Sequence, residues 1–333
     1  MTPCVPFVPA QRRVLALAAF AACLALSTPL SQAQAWKPEK TVEIVVGSAA
    51  GGGNDKTARV IQKVWTDTKL LNGVVSNKVG GGGAIAYGYV SAKDDPHFIG
   101  VAQAGLITNH ITGRSPIDLS SVTPLAYMGS EAVALTVRAD SPIKDLKQFQ
   151  EQLKKDPTSL SISVGSTLGG TNHFAVALIA KAAGVDPKKL KLLVFGGGAE
   201  SVTNLLGGHI SAMSQLVNNS IPHHKAKTMR ILCVTTTKRL GVLPDVPTCT
   251  EQGANVVLGG WTVIVGPKKM TPAQVTGWED ILQKTAQHPD WKGYLEANSW
   301  DPDFKKSGET AAFLKADYEE TRAILTELGL AKQ

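Results

Sequence analysis

Four times along this sequence a short β-branched run breaks into a glycine-rich stretch that leads straight into a helical pattern. The runs Thr41 to Val46, Val74 to Asn77, Leu160 to Val164 and Leu190 to Phe195 are followed by Gly47-Ser-Ala-Ala-Gly-Gly-Gly-Asn-Asp55, Gly80-Gly-Gly-Gly83, Gly165-Ser-Thr-Leu-Gly-Gly-Thr-Asn172 and Gly196-Gly-Gly198. The first N–H groups of a helix have no partner inside it, and that free edge, with the helix dipole behind it, attracts anions. One such loop has a plainer explanation, since glycine ends strands and lets a helix pack closely on a sheet. Four in one chain, two of them carrying Ser, Thr and Asn, point to a cleft of helix N-termini that receives a negatively charged small molecule.

The rest of the chain continues the alternation. Strand-like runs recur at Phe98 to Ala102, Ala132 to Arg138, Ile210 to Ser214, Met229 to Thr235 and Trp261 to Gly266. Ser141-Pro142 and Thr271-Pro272 each set a capping residue before a proline, which predicts helices over Ile143 to Lys155 and from Thr271 to Gln287. Strands alternating with helices predict a largely parallel α/β sheet, whose ligands bind outside the carboxyl ends of the strands, where the glycine loops lie. With 333 residues, 43% of them hydrophobic, the chain can fill one large domain or two lobes. That fraction excludes a disordered chain, and the 32 glycines are clustered rather than set at every third position as collagen requires.

Residues 1–35 have no acidic side chain, and their basic ones, Arg12 and Arg13, precede the apolar run Val14 to Leu26. That run is well short of the ~20 residues that span a bilayer. The basic pair, the short apolar run and the small-residue site Ala33-Gln34-Ala35 predict a secretory signal peptide cleaved before Trp36. The formal charge of +7 then falls to about +5, because two of the 34 basic and none of the 27 acidic side chains are removed. So mild an excess points to neither nucleic acid nor a membrane surface. Cys4 and Cys23 leave with the signal. Cys233 and Cys249 remain, and an oxidising compartment permits a disulfide between them, while the apolar setting of Cys233 equally suits a buried thiol.

Catalytic signatures are missing. Gly81-x-Gly83-x-x-Ala86 matches a loosened dinucleotide fingerprint, but Asp94 and Asp95 follow too soon to reach a ribose. No phosphate-binding Gly-Lys-Ser/Thr loop, nucleophile elbow or zinc spacing occurs, and the neighbours His223 and His224 cannot both face one metal from a regular helix. His173, at a helix start, either donates to an anion or caps its own loop.

The loops taken together resemble the TctC/Bug proteins, the extracytoplasmic solute receptors of tripartite tricarboxylate transporters. Gly47 to Asp55 resembles their first ligand loop, and Asn77-Lys-Val-Gly-Gly-Gly-Gly83 is similar to their Asn-x-x-Gly-x-x-Gly loop. Gly165 to His173 is similar to their second-domain loop. Leu205-Leu-Gly-Gly-His-Ile210, Pro222-His-His-Lys225, Thr235-Thr-Thr-Lys-Arg239 and Leu243-Pro-Asp-Val-Pro-Thr248 continue the likeness in order. Where the family usually has Pro-Phe-x-Pro before the first glycines, this chain has Gly47, Ser48, Ala49 and Ala50, a wider and more polar wall. Phe195 stands for a common Tyr, and Ser211 and Gln215 for positions often held by Asp, which suits a ligand with more than one negative charge.

The resemblance implies an α/β, two-lobed periplasmic-binding-protein fold, type II-like, with the ligand cleft between lobes and two crossover strands near Ala134 to Asp140 and Gly259 to Gly266. Lobe 1 then comprises residues 36–138 and 260–333, and lobe 2 residues 139–259. Backbone N–H groups of Gly51, Gly52 and Gly53 with the Ser48 hydroxyl are expected to hold one carboxylate, with Ala49 and Asn54 beside them. Ser166, Thr167, Gly169, Thr171, Asn172 and His173 face the other end of the ligand, Gly197, Gly198 and Ala199 add a third helix N-terminus, and Gln215 and Asn218 complete the set. Asp55 is read as a cap of its helix. The implied protein is a periplasmic monomer, without cofactor or metal, that hands a small organic carboxylate to TctA/TctB-like permease subunits and binds no nucleic acid. A sensor or scavenger presenting ligand to a signalling receptor, and an extracytoplasmic enzyme, are the alternatives.

Overall fold

The computed structural model describes residues 36–165 and 168–332, together with Met1 and Pro3. The expected signal peptide, and Ser166 and Thr167, lie outside the described residues. In chain order the elements are β1 (Val42–Val46), α1 (Gly53–Asp67), β2 (Gly73–Asn77), α2 (Ala84–Ser91), β3 (Phe98–Ala102), α3 (Gly105–Ile111), β4 (Thr123–Arg138), α4 (Leu146–Lys155), β5 (Ser161–Ser163), α5 (Thr171–Ala182) and β6 (Lys191–Leu193). They continue with α6 (Gly198–Leu206), β7 (Ala212–Leu216), α7 (Ile221–Lys225), β8 (Met229–Val234), β9 (Gly259–Gly266), α8 (Pro272–Gln287), α9 (Pro289–Ala297), β10 (Trp300–Asp301), β11 (Lys305–Lys306) and α10 (Ser307–Glu327).

Local chemistry explains most boundaries. β1, with the sequence Val-Glu-Ile-Val-Val, is buried along most of its length, as a strand covered by helices on both faces must be. Thr271 caps α8 through the Gln274 N–H, Gln274 reaches back to the Thr271 N–H, and Pro272 fills the first helical position. α4 starts later than Ser141-Pro142 suggested. The Ser141 hydroxyl accepts only from the Ile143 N–H in a turn, and the cap is Asp145, which accepts from the Gln148 N–H at 2.8 Å. Leu146, Phe149 and Leu153 then form the buried stripe of that helix.

The sheet runs β2-β1-β3-β9-β4-β7-β5-β6. Pairing is parallel within β2-β1-β3 and within β7-β5-β6. It is antiparallel wherever β9 or β4 takes part, so the expectation of a largely parallel sheet holds for the flanks and fails at the centre. β4 is the reason. Its first part, Thr123 to Ala132, pairs with β9, and from Val133 to Arg138 it pairs with β7 and β8. Sequence reading found only the second part of β4 and placed the crossing at Ala134 to Asp140, whereas the partners change between Ala132 and Val133.

Strand direction decides what faces what. β3 opposes β9, and β9 opposes β4, so β1, β2 and β3 run with β4 towards its second part. β5, β6 and β7 run against β4, back towards its first part. The carboxyl ends of the two parallel sets therefore point at each other. β3 ends level with Tyr127 of β4 through Val263, and β7 ends level with Val133. Six steps along β4, about 20 Å at ~3.3 Å per residue, separate the two sets.

Each half has its own core, one around Ile44, Trp65, Trp278 and Trp291, the other around Phe149, Leu153, Ile162 and Ile179. A third cluster joins them, with Phe174 and Ala177 of α5 packed with Trp261 of β9 and Leu314 and Leu325 of α10. Cys233 and Cys249, both fully buried, form a disulfide with their Cα atoms 5.0 Å apart, which decides between the two readings left open above.

Candidate site at the facing strand ends

The Gly47 to Asp55 loop is held by Asp55, 1% exposed at the third position of α1. Its carboxylate accepts from the Gly51 N–H (2.8 Å), the Arg59 Nε (2.8 Å) and the Asn77 amide (3.0 Å), and Asn77 also donates to the Ser48 carbonyl (2.9 Å). Burial by itself raises the pKa of Asp55, but these hydrogen bonds outweigh it and hold the carboxyl at about 2. The Gly52 N–H donates to the Ala49 carbonyl at 3.0 Å. Gly51 and Gly52 thus shape the loop, and the donors that α1 leaves unmatched are the first-turn N–H groups of Gly53, Asn54 and Asp55. The buried Ser48 hydroxyl has no partner among the described residues.

For Gly80 to Gly83 the plainer explanation holds. Asn109 donates to the carbonyls of Gly81 (2.7 Å) and Gly82 (3.2 Å), and a Cβ on Gly83 would lie 2.7 Å from the Tyr87 ring. A Cβ on Gly47 would lie 2.6 Å from the Gly83 Cα, and one on Gly105 would strike the Gly82 carbonyl. These glycines let three backbone segments touch. The third of them, Gln103 to Gly105 after β3, carries a single glycine and sequence reading passed over it.

In the other half the Gly169 N–H donates to Nδ1 of His173 at 2.8 Å. His173 is buried, which lowers its pKa to about 4, and with Nδ1 accepting, its proton sits on Nε2. Of its two possible roles, the structure shows the cap of its own loop. The Gly196 N–H donates to the Glu200 carboxylate at 2.6 Å. An anion therefore already sits at the N-terminus of α6, which disfavours Gly197, Gly198 and Ala199 as donors to a second one. One device recurs in three loops: the side chain at the third helical position, Asp55, His173 or Glu200, accepts from a glycine N–H two residues before the helix.

Asn172 and Gln215 meet, with the Asn172 amide 3.3 Å from Gln215 Oε1. Gln215 donates to the Ser201 hydroxyl at 3.0 Å, and Ser201 lies 2.7 Å from Ser163. Gln215 is buried within this network, and the exposed edge belongs to Asn172 and Thr171. Asn218 is bound to a residue that sequence reading missed. Its N–H and side-chain amide donate to Glu131 at 2.8 and 3.3 Å, and Trp300 Nε1 donates to the same carboxyl at 3.0 Å. Glu131 is 1% exposed, and burial raises its pKa to about 8 against those hydrogen bonds. A lone acid in the apolar run Met128 to Val137 was its only trace in the sequence.

A cavity of ≈ 220 Å³ lies elsewhere, between α5 and α10. Tyr127, Phe174, Trp261, Phe313 and Asp317 line it, and Thr171 is the one expected site residue on its wall. Asp317 accepts from Trp261 Nε1 at 3.2 Å, and burial raises its pKa to about 6. An aromatic wall with an acid in it does not suit a carboxylate. Among the described residues no cluster of His, Cys, Asp and Glu could hold a metal ion, and no helix is long and apolar enough to cross a membrane.

Comparison with known proteins names the architecture. The family model described as the tripartite tricarboxylate transporter family receptor, TctC, matches residues 57–330. The chain belongs to this receptor family. A Cupriavidus necator relative, the UPF0065 protein in the gbd 5' region, is 28% identical over 95% of this chain and 96% of its own. The structure of the periplasmic binding protein BugD is similar at 25% identity, with a TM-score of 0.78 over 89% of this chain and all of that one. Two Rhodopseudomonas palustris structures share the fold at 22% identity. MatC with bound malate has a TM-score of 0.75 over 87% of this chain and 100% of its own, and a protein with adipate has 0.79 over 88% and 99%. TctC receptors are periplasmic, two-lobed solute-binding proteins of tripartite tricarboxylate transporters rather than enzymes.

Proposed function

We propose that this receptor captures a small organic carboxylate, a di- or tricarboxylate or a close relative, between its two halves and delivers it to TctA/TctB-like permease subunits. The observation that carries the reading is the convergence of the strand ends, which aims the first turn of α1 at the opposite half. The negative charge of Asp55 there is matched by Arg59, so the free N–H groups of Gly53 and Asn54 and the hydroxyl of Ser48 can take a ligand carboxylate. Thr171 and Asn172 hold the far end. The neutral His173 beneath them, unlike Glu200 at α6, adds no repulsion. Two neighbours of the same fold hold malate and adipate, which supports a dicarboxylate of four to six carbons.

Lobe 1 consists of residues 36–138 and 260–333 and lobe 2 of residues 139–259, joined by two strands that act as the hinge. A signal peptide over residues 1–35 sends the protein to the periplasm as a monomer. Native mass spectrometry of freshly purified protein, followed by calorimetry with a carboxylate panel, tests the function. A measured preference for a neutral solute, with no carboxylate bound, overturns it. N-terminal sequencing of the exported protein should begin at Trp36.

A further inference from the structure

Glu131 stands in the middle of the gap between the facing strand ends, four residues past the level where β3 ends and two before the level where β7 ends. It is buried, and its hydrogen bonds come from both halves, from Asn218 after β7 and from Trp300 in β10. Every one of those partners is neutral. Among the described residues no cation pairs with it. Of the titratable groups on the elements around it, Tyr294 of α9 is the one that feels its charge, and its hydroxyl bonds Thr57 of α1; Lys292 and Glu296 of α9 and Asp301 of β10 are exposed, and Asp290 of α9 is paired with Lys63. An ionised carboxylate so placed meets a second negative charge whenever an anionic ligand enters the gap, and closure of the halves removes the water that would screen the two.

We infer that Glu131 is a proton-coupled residue of the hinge, and that capture of a carboxylate draws a proton onto it. The inference rests on the carboxylate reading given above. A second feature prepares the site for both protonation states. The ionised acid accepts from the Asn218 amide nitrogen, while the buried Asn218 Oδ1 has no donor among the described residues. A half-turn of that amide gives the protonated acid an acceptor for its O–H. The tendency of Glu131 to hold a proton up to about pH 8 places the exchange within reach of experiment. By linkage, a ligand that raises proton affinity binds more tightly to the protonated receptor.

The test is calorimetric titration of the full mature receptor with its tightest carboxylate from pH 6.5 to 9.5, repeated at pH 8.5 in two buffers of different ionisation enthalpy. Affinity should be level to about pH 8 and then fall, approaching tenfold per pH unit. The measured heat at pH 8.5 should shift with the buffer in the sense of proton uptake. Glu131→Gln, an isostere of the protonated acid, should bind with wild-type affinity at pH 7, show no fall above pH 8 and show no buffer dependence. Buffer-independent heats with a level profile in the wild-type protein overturn the inference without need of any variant, as does a fall that persists in Glu131→Gln. Carboxylates that bind without proton exchange leave the receptor function standing; failure of every carboxylate at every pH removes that function instead.

Discussion

Asp55 collects hydrogen bonds from a glycine N–H, an amide and a guanidinium, and all three are lost if the carboxylate goes. Asp55→Ala should cost about 2–4 kcal/mol at pH 7, as removal of one member of a buried network does. Because the folded pKa lies below that of an unfolded aspartate, this stabilisation is complete above about pH 4 and is lost as pH falls towards 2. Urea unfolding should therefore show the deficit of the variant shrinking between pH 4 and 2, and a deficit constant over that range contradicts the assignment. His173 is also depressed, to about 4 from an unfolded value near 6.5. For a base this means that the unfolded chain takes up the proton first, so stability declines as pH drops from about 6.5 to 4. His173→Gln should flatten the melting temperature over that interval. The capping roles of Asp55 and His173 were legible in the sequence, whereas the burial and the glycine N–H bonds that shift their pKa values were not.

At the level of elements, the four glycine loops were legible because glycine clusters and β-branched runs are local signals. What each loop does was not. The bonds from Gly51, Gly169 and Gly196 to side chains four residues on depend on the rotamer of a distant atom, so a run of glycines cannot tell free donors from engaged ones. The two-residue strands β10 and β11 are too short for any period to show. Gly83 has a φ of +95° and Tyr87 behind it, so Gly83→Ala should destabilise by about 1–3 kcal/mol, measured by urea unfolding. Ser48→Phe puts an aromatic ring where the unpartnered Ser48 hydroxyl stands in the first loop. It should weaken a bulky carboxylate about tenfold or more by calorimetry, and unchanged affinity would remove that loop from the pocket wall.

Across the whole molecule, the two-lobed α/β class followed from alternation and family likeness. The antiparallel centre did not, because strand direction is fixed by pairings such as Ala102 with Val263 and Val133 with Leu216, far apart in the chain. Glu131 acquires meaning only once those pairings bring residues 218 and 300 to it. The disulfide between Cys233 and Cys249, 16 residues apart, should contribute about 3 kcal/mol, which the double Ser variant would lose in urea unfolding.

The order of the strands also sets a timetable. β3 has no partner on its β9 side until residues 259–266 have been made, and β4 lacks β10 and β11 until the last helix is about to begin. A growing chain cannot complete its first half early, because the missing strands are the last ones synthesised. Until those last strands are made, the early part of the chain stays an open, threadable polypeptide, so completion of the fold waits on its final quarter.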